Sequence, residues 1–252
     1  MAFRSTKRSS EGPKAEVRSV ATAFQLLEAL AASEEPLGVS ELSRAVGVTK
    51  TRAYRHLRTL IAGGYVTQDS RTEKYQAGVQ LFLLGQKVAG QHSFLSAGRK
   101  VMRPLRDRVG HTVTLSRIEK NAVVVLDMVR SSSSFEIGTK PGARFPLERS
   151  AQGKVALAFG GAAFSGRPKD PPKLRREVRL VRERGWAVAP EEILRGVNAL
   201  AAPIFFADGS LAGTLALVDS VEVLPPEPSK QQIAAVQEAA RRASSELGHR
   251  RP

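Results

Sequence analysis

Between Thr49 and Leu60 the chain reads TKTRAYRHLRTL. Lys50, Arg52, Arg55 and Arg58 fall in this run, and no aspartate or glutamate does. A guanidinium is a flat fork of N–H donors that matches O6 and N7 of guanine, and an acid-free surface has no carboxylate to repel phosphate. On a helical wheel Ala53, Leu57, Leu60 and Ile61 share one side, which should face a core. Thr51, Arg55, Arg58 and Thr59 lie opposite, with Arg52 beside them. The expectation is that Thr51, Arg52 and Arg55 meet base edges in a major groove, while Lys50 and Arg58 hold phosphates. Tyr54 is read as a packing residue with a wet hydroxyl on the DNA-facing side, and His56 as a surface residue on the flank.

The charge needs neighbours to position it. Ser19 to Ala31 carries Val20, Phe24, Leu27 and Leu30 at helical spacing, and Pro36 and Gly38 break that helix. Ser40 is expected to cap a second short helix that ends at Gly47. Thr49 is expected to cap the basic helix, which Gly63-Gly64 stops, and Ser40 and Thr49 are also counted among the expected DNA contacts. Tyr65 to Gly78 then reads as a hairpin around a polar turn, Asp69 to Lys74, with Arg71 and Lys74 in reach of the DNA backbone or minor groove. Helix, short turn, basic helix and hairpin predict a winged helix-turn-helix over residues 17–78. Residues 1–16 predict a disordered basic arm, and 79–92 a linker helix.

Totals bound the alternatives. The 252 residues hold 39 lysines and arginines against 24 acids, a net charge of +15, which favours polyanionic partners. Residues 1–90 carry 13 bases and 8 acids, so the remainder is about as basic and bulk charge does not locate a site. Cysteine is absent, which removes thiolate metal sites and cysteine nucleophiles and fits a reducing cytoplasm. No apolar run approaches the roughly 20 residues of a membrane span, and MAFRSTKRSSEGPK lacks the apolar stretch of a secretory signal. The four histidines, His56, His92, His111 and His249, have no metal-ligand spacing. SAQGK lacks the frame of a phosphate-binding loop, and no G-x-S-x-G occurs. No cofactor and no enzymatic activity are expected; an enzyme with an unrecognised site and a non-specific architectural DNA-binding protein are the rival readings.

From Phe94 the texture changes. A helix through Val101 and Leu105 precedes HTVTLSRIE, whose alternation predicts a half-buried strand, and AVVVLDMV, a more continuous apolar strand. Ser150 to Phe159 predicts a helix, as does the basic Lys173 to Arg184, read as a solvated face with a second DNA contact as the lesser alternative. ALAAPIFFADGSLAGTLALV predicts two strands joined at Asp208-Gly209, and Lys230 to Leu247 a closing helix. Strands and helices mixed this way predict an α+β domain around an antiparallel sheet over residues 93–250.

With these blocks in place, a resemblance appears. VRSVATAFQLLEAL, GVSELSRAVGVTKTRAYRHLRTLIAGGYV and YQAG resemble the DNA-binding domain of the IclR family of bacterial transcription regulators. FPLERSAQGKVALAF, VRERGWAV and RGVNALAAPIFFADGSLAGTLALV resemble its effector-binding domain, in the same order, so the likeness runs from about residue 17 to 247. It implies a GAF-like C-terminal domain with a curved sheet that holds a small molecule. It also implies homodimers, in some members dimers of dimers, on double-stranded palindromic operators. The expected pocket walls are Leu126 and Met128; Phe145, Leu147 and Ser150-Ala151-Gln152-Gly153; and Ala199, Ala216 and Val218. Asn198, Arg130 and Arg144 are the polar groups expected to orient the ligand, and Ser150 and Gly153 have a plainer reading as helix cap and packing glycine. Ala199 stands at a common cysteine position, Ala216 and Val218 where members binding small oxoacids carry serines, and Ala189 where an acid is common. These departures predict a semi-apolar or aromatic acid or amide as effector.

Overall fold

The computed structural model describes residues 17–91, 93–131, 139–161 and 171–249. His92 and the N-terminal arm lie outside them. The chain divides into two compact units, Met1–Val88 and Ala89–Pro252, with the boundary inside one helix, α4 (Val79–Gln91).

The first unit is built on three helices, α1 (Arg18–Ala32), α2 (Val39–Val46) and α3 (Lys50–Ala62), and a hairpin of β1 (Val66–Gln68) and β2 (Tyr75–Ala77). Leu26, Leu30, Leu42, Ala53, Leu57, Val66 and Tyr75 form its core, so each element buries its apolar stripe against the others. Leu37 exchanges two backbone hydrogen bonds with Tyr75, which ties the chain ahead of α2 to the hairpin. Gly47 adopts a left-handed φ of 70°, a conformation with no steric cost for glycine, and turns α2 into α3. Ser40 is not the cap of α2. It lies inside the helix, and Gly38 takes the cap position with its N–H donating to Glu41 Oε2 at 2.7 Å. The acid three residues on satisfies the helix start, so no hydroxyl is needed there.

The second unit opens with α5 (Ser93–Val109). A six-stranded antiparallel sheet follows in the order β5-β4-β3-β8-β7-β6, comprising β3 (Thr112–Glu119), β4 (Ala122–Val129), β5 (Arg144–Pro146), β6 (Ala187–Val188), β7 (Val197–Phe205) and β8 (Leu211–Ser220). Two helices, α6 (Ala151–Phe159) and α7 (Pro172–Arg184), sit between β5 and β6 in the chain, and α8 (Lys230–Glu246) closes it. Val113, Leu115, Leu215 and Leu217 pack with α5 and α8 on one face of the sheet. Ala201 and Ala216 pack with Ala151, Val155 and Ala158 of α6 on the other.

The alternation in β3 has a different meaning from the one expected. Its polar set, Thr112, Thr114 and Ser116, is not solvated; these residues are 4%, 0% and 0% exposed. Helices cover both faces of the strand, so period-2 patterning here separates an aliphatic layer from a polar buried one. Behind them His111 Nδ1 lies 2.8 Å from Asp219 Oδ2, and its Nε2 lies 2.8 Å from Gln232 Nε2. Gln232 also closes the capping box of α8 with Ser229, so this buried network joins β3, β8 and the start of α8.

Candidate functional site

On α3, Thr49 Oγ1 accepts from Arg52 N at 3.3 Å and caps the helix as expected. Ala53 and Leu57 are buried, Leu60 and Ile61 half-buried, and Lys50, Thr51, Arg52, Tyr54, Arg55 and Arg58 exposed. Among the described residues none of the four basic side chains has a carboxylate within ion-pair distance. A shallow cleft gathers Thr49, Thr51, Arg52, Arg55, His56 and Thr59 with Ser19 of α1. His56 and Ser19 thus join a surface from which sequence reasoning had left them out; their signal was one turn of helix from Arg52 for His56 and nothing local for Ser19. Ser40 is half-buried and stands apart from this cleft.

The hairpin turn is ordered by one side chain. Asp69 Oδ1 accepts from Arg71 N at 3.0 Å, Thr72 N at 2.7 Å and Thr72 Oγ1 at 2.9 Å. The Thr72 backbone and hydroxyl bonds, then the Arg71 bond, hold the Asp69 carboxyl below its ordinary value of 3.8. Arg71 and Lys74 are exposed at this turn.

In the second unit a cavity of about 280 Å³ opens at the N-terminus of α6. Of the residues expected to line it, it gathers Phe145, Ser150, Ala151, Gln152, Asn198, Ala199 and Val218. Thr114, Thr139 and Ala143 complete one side, and Ala189, Ile193, Leu194 and Val197 the other. Thr114 was hidden by the solvated reading of β3. Ile193 and Leu194 had a signal, an apolar pair in an otherwise charged loop.

The remaining expected wall residues are corrected. A bulge in β4, where Leu115 pairs with Asp127 and Ser116 with Val125, leaves Leu126 as the extra residue. It turns to the α5 and α8 face, away from the cavity. Met128 shares the rung of Thr114 but is not in the lining. Arg130 is exposed, and its carbonyl accepts from Arg106 Nη1 at 2.9 Å. Arg144 is half-exposed on the edge strand and lies 3.8 Å from Glu119. Leu147 packs with Val123 and Leu157, and Ala216 lies under α6, both fully buried. Gly153 is a packing glycine: a Cβ there would stand 2.2 Å from Leu147 O.

Two of the polar groups in the lining are already engaged. Ser150 Oγ accepts from Gly153 N at 3.1 Å and donates to Pro146 O at 2.8 Å. Asn198 donates through Nδ2 to Leu224 O at 3.1 Å and Pro225 O at 2.8 Å, stapling the loop before α8. Gln152 is buried, and its Nε2 reaches Thr114 Oγ1 only at 3.4 Å, a weak bond that a ligand group could replace. The first-turn N–H groups of Ala151 and Gln152 have no partner within their helix. Among the described residues no lining residue carries a charge.

The loop bearing Ile193 and Leu194 is clasped from α6. Lys154, 3% exposed, pairs with Glu192 and with Glu177 at 2.8 Å and donates to Val188 O at 3.3 Å. Arg149 donates to the Glu192 carbonyl. Burial of an ammonium is tolerable here because two carboxylates and a carbonyl surround it.

The family model of the IclR helix-turn-helix domain matches residues 19–70, and that of the bacterial transcriptional regulator IclR C-terminal domain matches 86–166 and 168–245. The chain belongs to the IclR family. It is 30% identical over 246 residues to the glycerol operon regulatory protein of Streptomyces griseus, covering 92% of this chain and 97% of that one. It is 27% identical to the transcriptional regulator KdgR of Dickeya chrysanthemi, covering 92% and 81%. In three dimensions it is similar to an IclR-type regulator from Alicyclobacillus acidocaldarius, with a TM-score of 0.79 at 24% identity, covering 93% of this chain and all of that one. It is also similar to an IclR homologue from Microbacterium hydrocarbonoxydans complexed with 4-hydroxybenzoate, with a TM-score of 0.78 at 19% identity, covering 91% and 98%. The protein is a transcription regulator with a helix-turn-helix DNA-binding domain and an IclR effector-binding domain. Among the described residues no helix is long and apolar enough to cross a membrane.

Proposed function

We propose that this regulator binds a specific operator through α3 and releases or tightens its grip when a small, uncharged or singly charged semi-apolar molecule enters the cavity at α6. The observation that carries the first half is the exposed, acid-free face of Thr51, Arg52 and Arg55 on a capped helix packed against α1 and α2. The second half rests on a lining that, among the described residues, has no charged group, and in which Gln152, Thr114 and the first-turn N–H groups are the polar features open to a ligand. An aromatic carboxylate or amide fits that balance, its polar end at the helix start and its ring against Phe145, Ala199 and Val218. The 4-hydroxybenzoate held by the Microbacterium neighbour makes that compound a sensible probe.

The operator reading implies two copies. Val20 and Phe24 on α1, and Phe82, Leu83, Leu84 and Val88 on α4, are 42–63% exposed. A second copy of this chain is the occupant that suits these faces, because a two-fold pair of helix-turn-helix units matches a palindromic site. α4 would then serve as both linker and dimer contact.

Footprinting on the DNA flanking its own gene, with and without small acids and amides, tests the proposal. A protected palindrome whose occupancy responds to one compound class is the expected result. Equal affinity for unrelated sequences at physiological salt would replace it with the architectural reading.

A further inference from the structure

A second cleft of about 260 Å³ lies on the far side of the same unit, where α6, α7 and α8 meet the outer edge of β7. Arg182, Arg184 and Arg241 stand around it, and among the described residues Glu183 is the one carboxylate in its lining. Arg182 Nε donates to Ala158 O at 2.9 Å and Arg184 Nε to Trp186 O at 2.8 Å, which fixes both forks and leaves their outer N–H groups for another acceptor. Among the described residues none of the three guanidiniums has a carboxylate within ion-pair distance. Burial draws Arg184 below the ordinary arginine range, with Glu177 pulling the other way. The floor is aromatic. Phe159 meets Phe205 edge to face at 5.5 Å, and the His249 ring lies 5.3 Å from Phe205.

The sheet edge itself excludes a peptide. β6 covers β7 only at Leu200 and Ala201. Beyond it, Pro203 offers no N–H, and the Phe205 N–H is taken by Ser244 Oγ at 3.0 Å. A strand adding there would find no donors. What remains is a compact pocket of positive forks over ring edges.

We propose that this cleft is a second small-molecule site, selective for a one-ring aromatic carboxylate, in contrast to the cavity at α6, whose described lining carries no charge. The carboxylate takes the open N–H groups of Arg184 and Arg241, and the ring packs on Phe159 and Phe205. A cleft at the small end of the ligand-pocket range holds one ring rather than two.

The chain's single tryptophan reports on it, since the Arg184 guanidinium stacks 3.6 Å from the centre of the Trp186 ring. Benzoate is titrated into the full chain by tryptophan fluorescence, with benzamide and inorganic phosphate beside it. The expected result is a saturable change with benzoate that is at least tenfold weaker with either comparison probe. It persists in Ala199→Phe, which fills the other cavity, and weakens at least tenfold in Arg241→Gln, which keeps the Arg184 guanidinium over Trp186. Arg184→Lys, which keeps the charge and loses the fork, weakens it in the same sense, and thermal melts of each variant show that the fold is retained. Equal response to benzamide or phosphate overturns the assignment, as does loss of the signal in Ala199→Phe or its survival in Arg241→Gln.

Discussion

The surface of α3 proposed to face DNA and the cavity at α6 are built on opposite plans. The first is one helix: its groups are contiguous, exposed and charged, and Ala53 and Leu57 hold them from behind. The second is assembled from β3, the β4–β5 segment, α6, the loop before β7, and β7 and β8, and among the described residues its lining contains no charge. The difference suits the ligands proposed for each. A polyanion in water is met by cations that stay hydrated until contact, whereas a small molecule must be withdrawn from water by a wall that costs little to desolvate. The two sites should therefore fail in different ways when altered.

The largest effect is expected on the helix. Replacing Arg52 and Arg55 together by alanine removes two candidate base readers at about 1–3 kcal/mol each, on the order of a thousandfold in operator affinity. Sequence preference relaxes at the same time, and competition gel shifts against scrambled DNA measure both. If affinity falls while preference stays, the two arginines hold phosphates and the roles assigned along α3 must be redistributed.

Next comes the clasp behind the cavity. Lys154→Met removes the cation shared by Glu177 and Glu192 and leaves Glu177 only the exposed Lys173 at 3.9 Å. Both acids are about 30% exposed, so water relieves part of the cost. The expected loss is about 2–3 kcal/mol, at or below the low end for a fully buried pair. Chemical denaturation reads it. Operator affinity of the folded fraction should be unchanged, because Lys154 and α3 belong to separate units. A smaller step is Ala199→Phe, which overpacks the cavity at about 1–3 kcal/mol and abolishes the response of operator binding to the effector, while the benzoate signal at the arginine cleft remains. Retained response to the effector would move the ligand elsewhere.

How much of each plan could be read in the sequence follows from the same contrast. The wheel of α3, its Thr49 cap and the turn at Gly47 are local, so period and capping chemistry suffice to place Arg52 and Arg55. The cavity depends on which strand faces which helix. Leu126 was misplaced because a bulge adds one residue to β4, and a strand's alternation carries no mark of that. Thr114 was missed because α6 covers a polar face that looks solvated when β3 is read alone. Arg144 invited a ligand role by its charge, yet it sits on an edge strand near Glu119. Ser150, Ala151 and Gln152 were legible because a helix start, like a recognition helix, is a local feature.

Lys50 sharpens the comparison within the first unit. It is exposed at the first position of α3 and carries no base-reading geometry of its own. Lys50→Ala should weaken binding evenly across sequences and lower the slope of log affinity against log salt by about 1.

The smallest effect is expected at the hairpin turn. The Asp69 carboxyl is held below its ordinary value of 3.8 by bonds that exist only in the folded turn. A depressed acid contributes stability that is present above its unfolded pKa and is lost as pH falls through its folded one. Order at Arg71 and Thr72 should thus be constant through neutral pH and should decay only in acid below the ordinary carboxylate range. Amide exchange at these two residues follows it, and Asp69→Asn, which still offers an oxygen but no charge, should remove the acid step while slowing exchange less than the wild type does. Because the turn is fully solvated, DNA affinity at neutral pH should change only through the placement of Arg71 and Lys74. An acid transition that persists unchanged in Asp69→Asn would assign the turn's order to the backbone pairing of Asp69 with Glu73 and Lys74 instead.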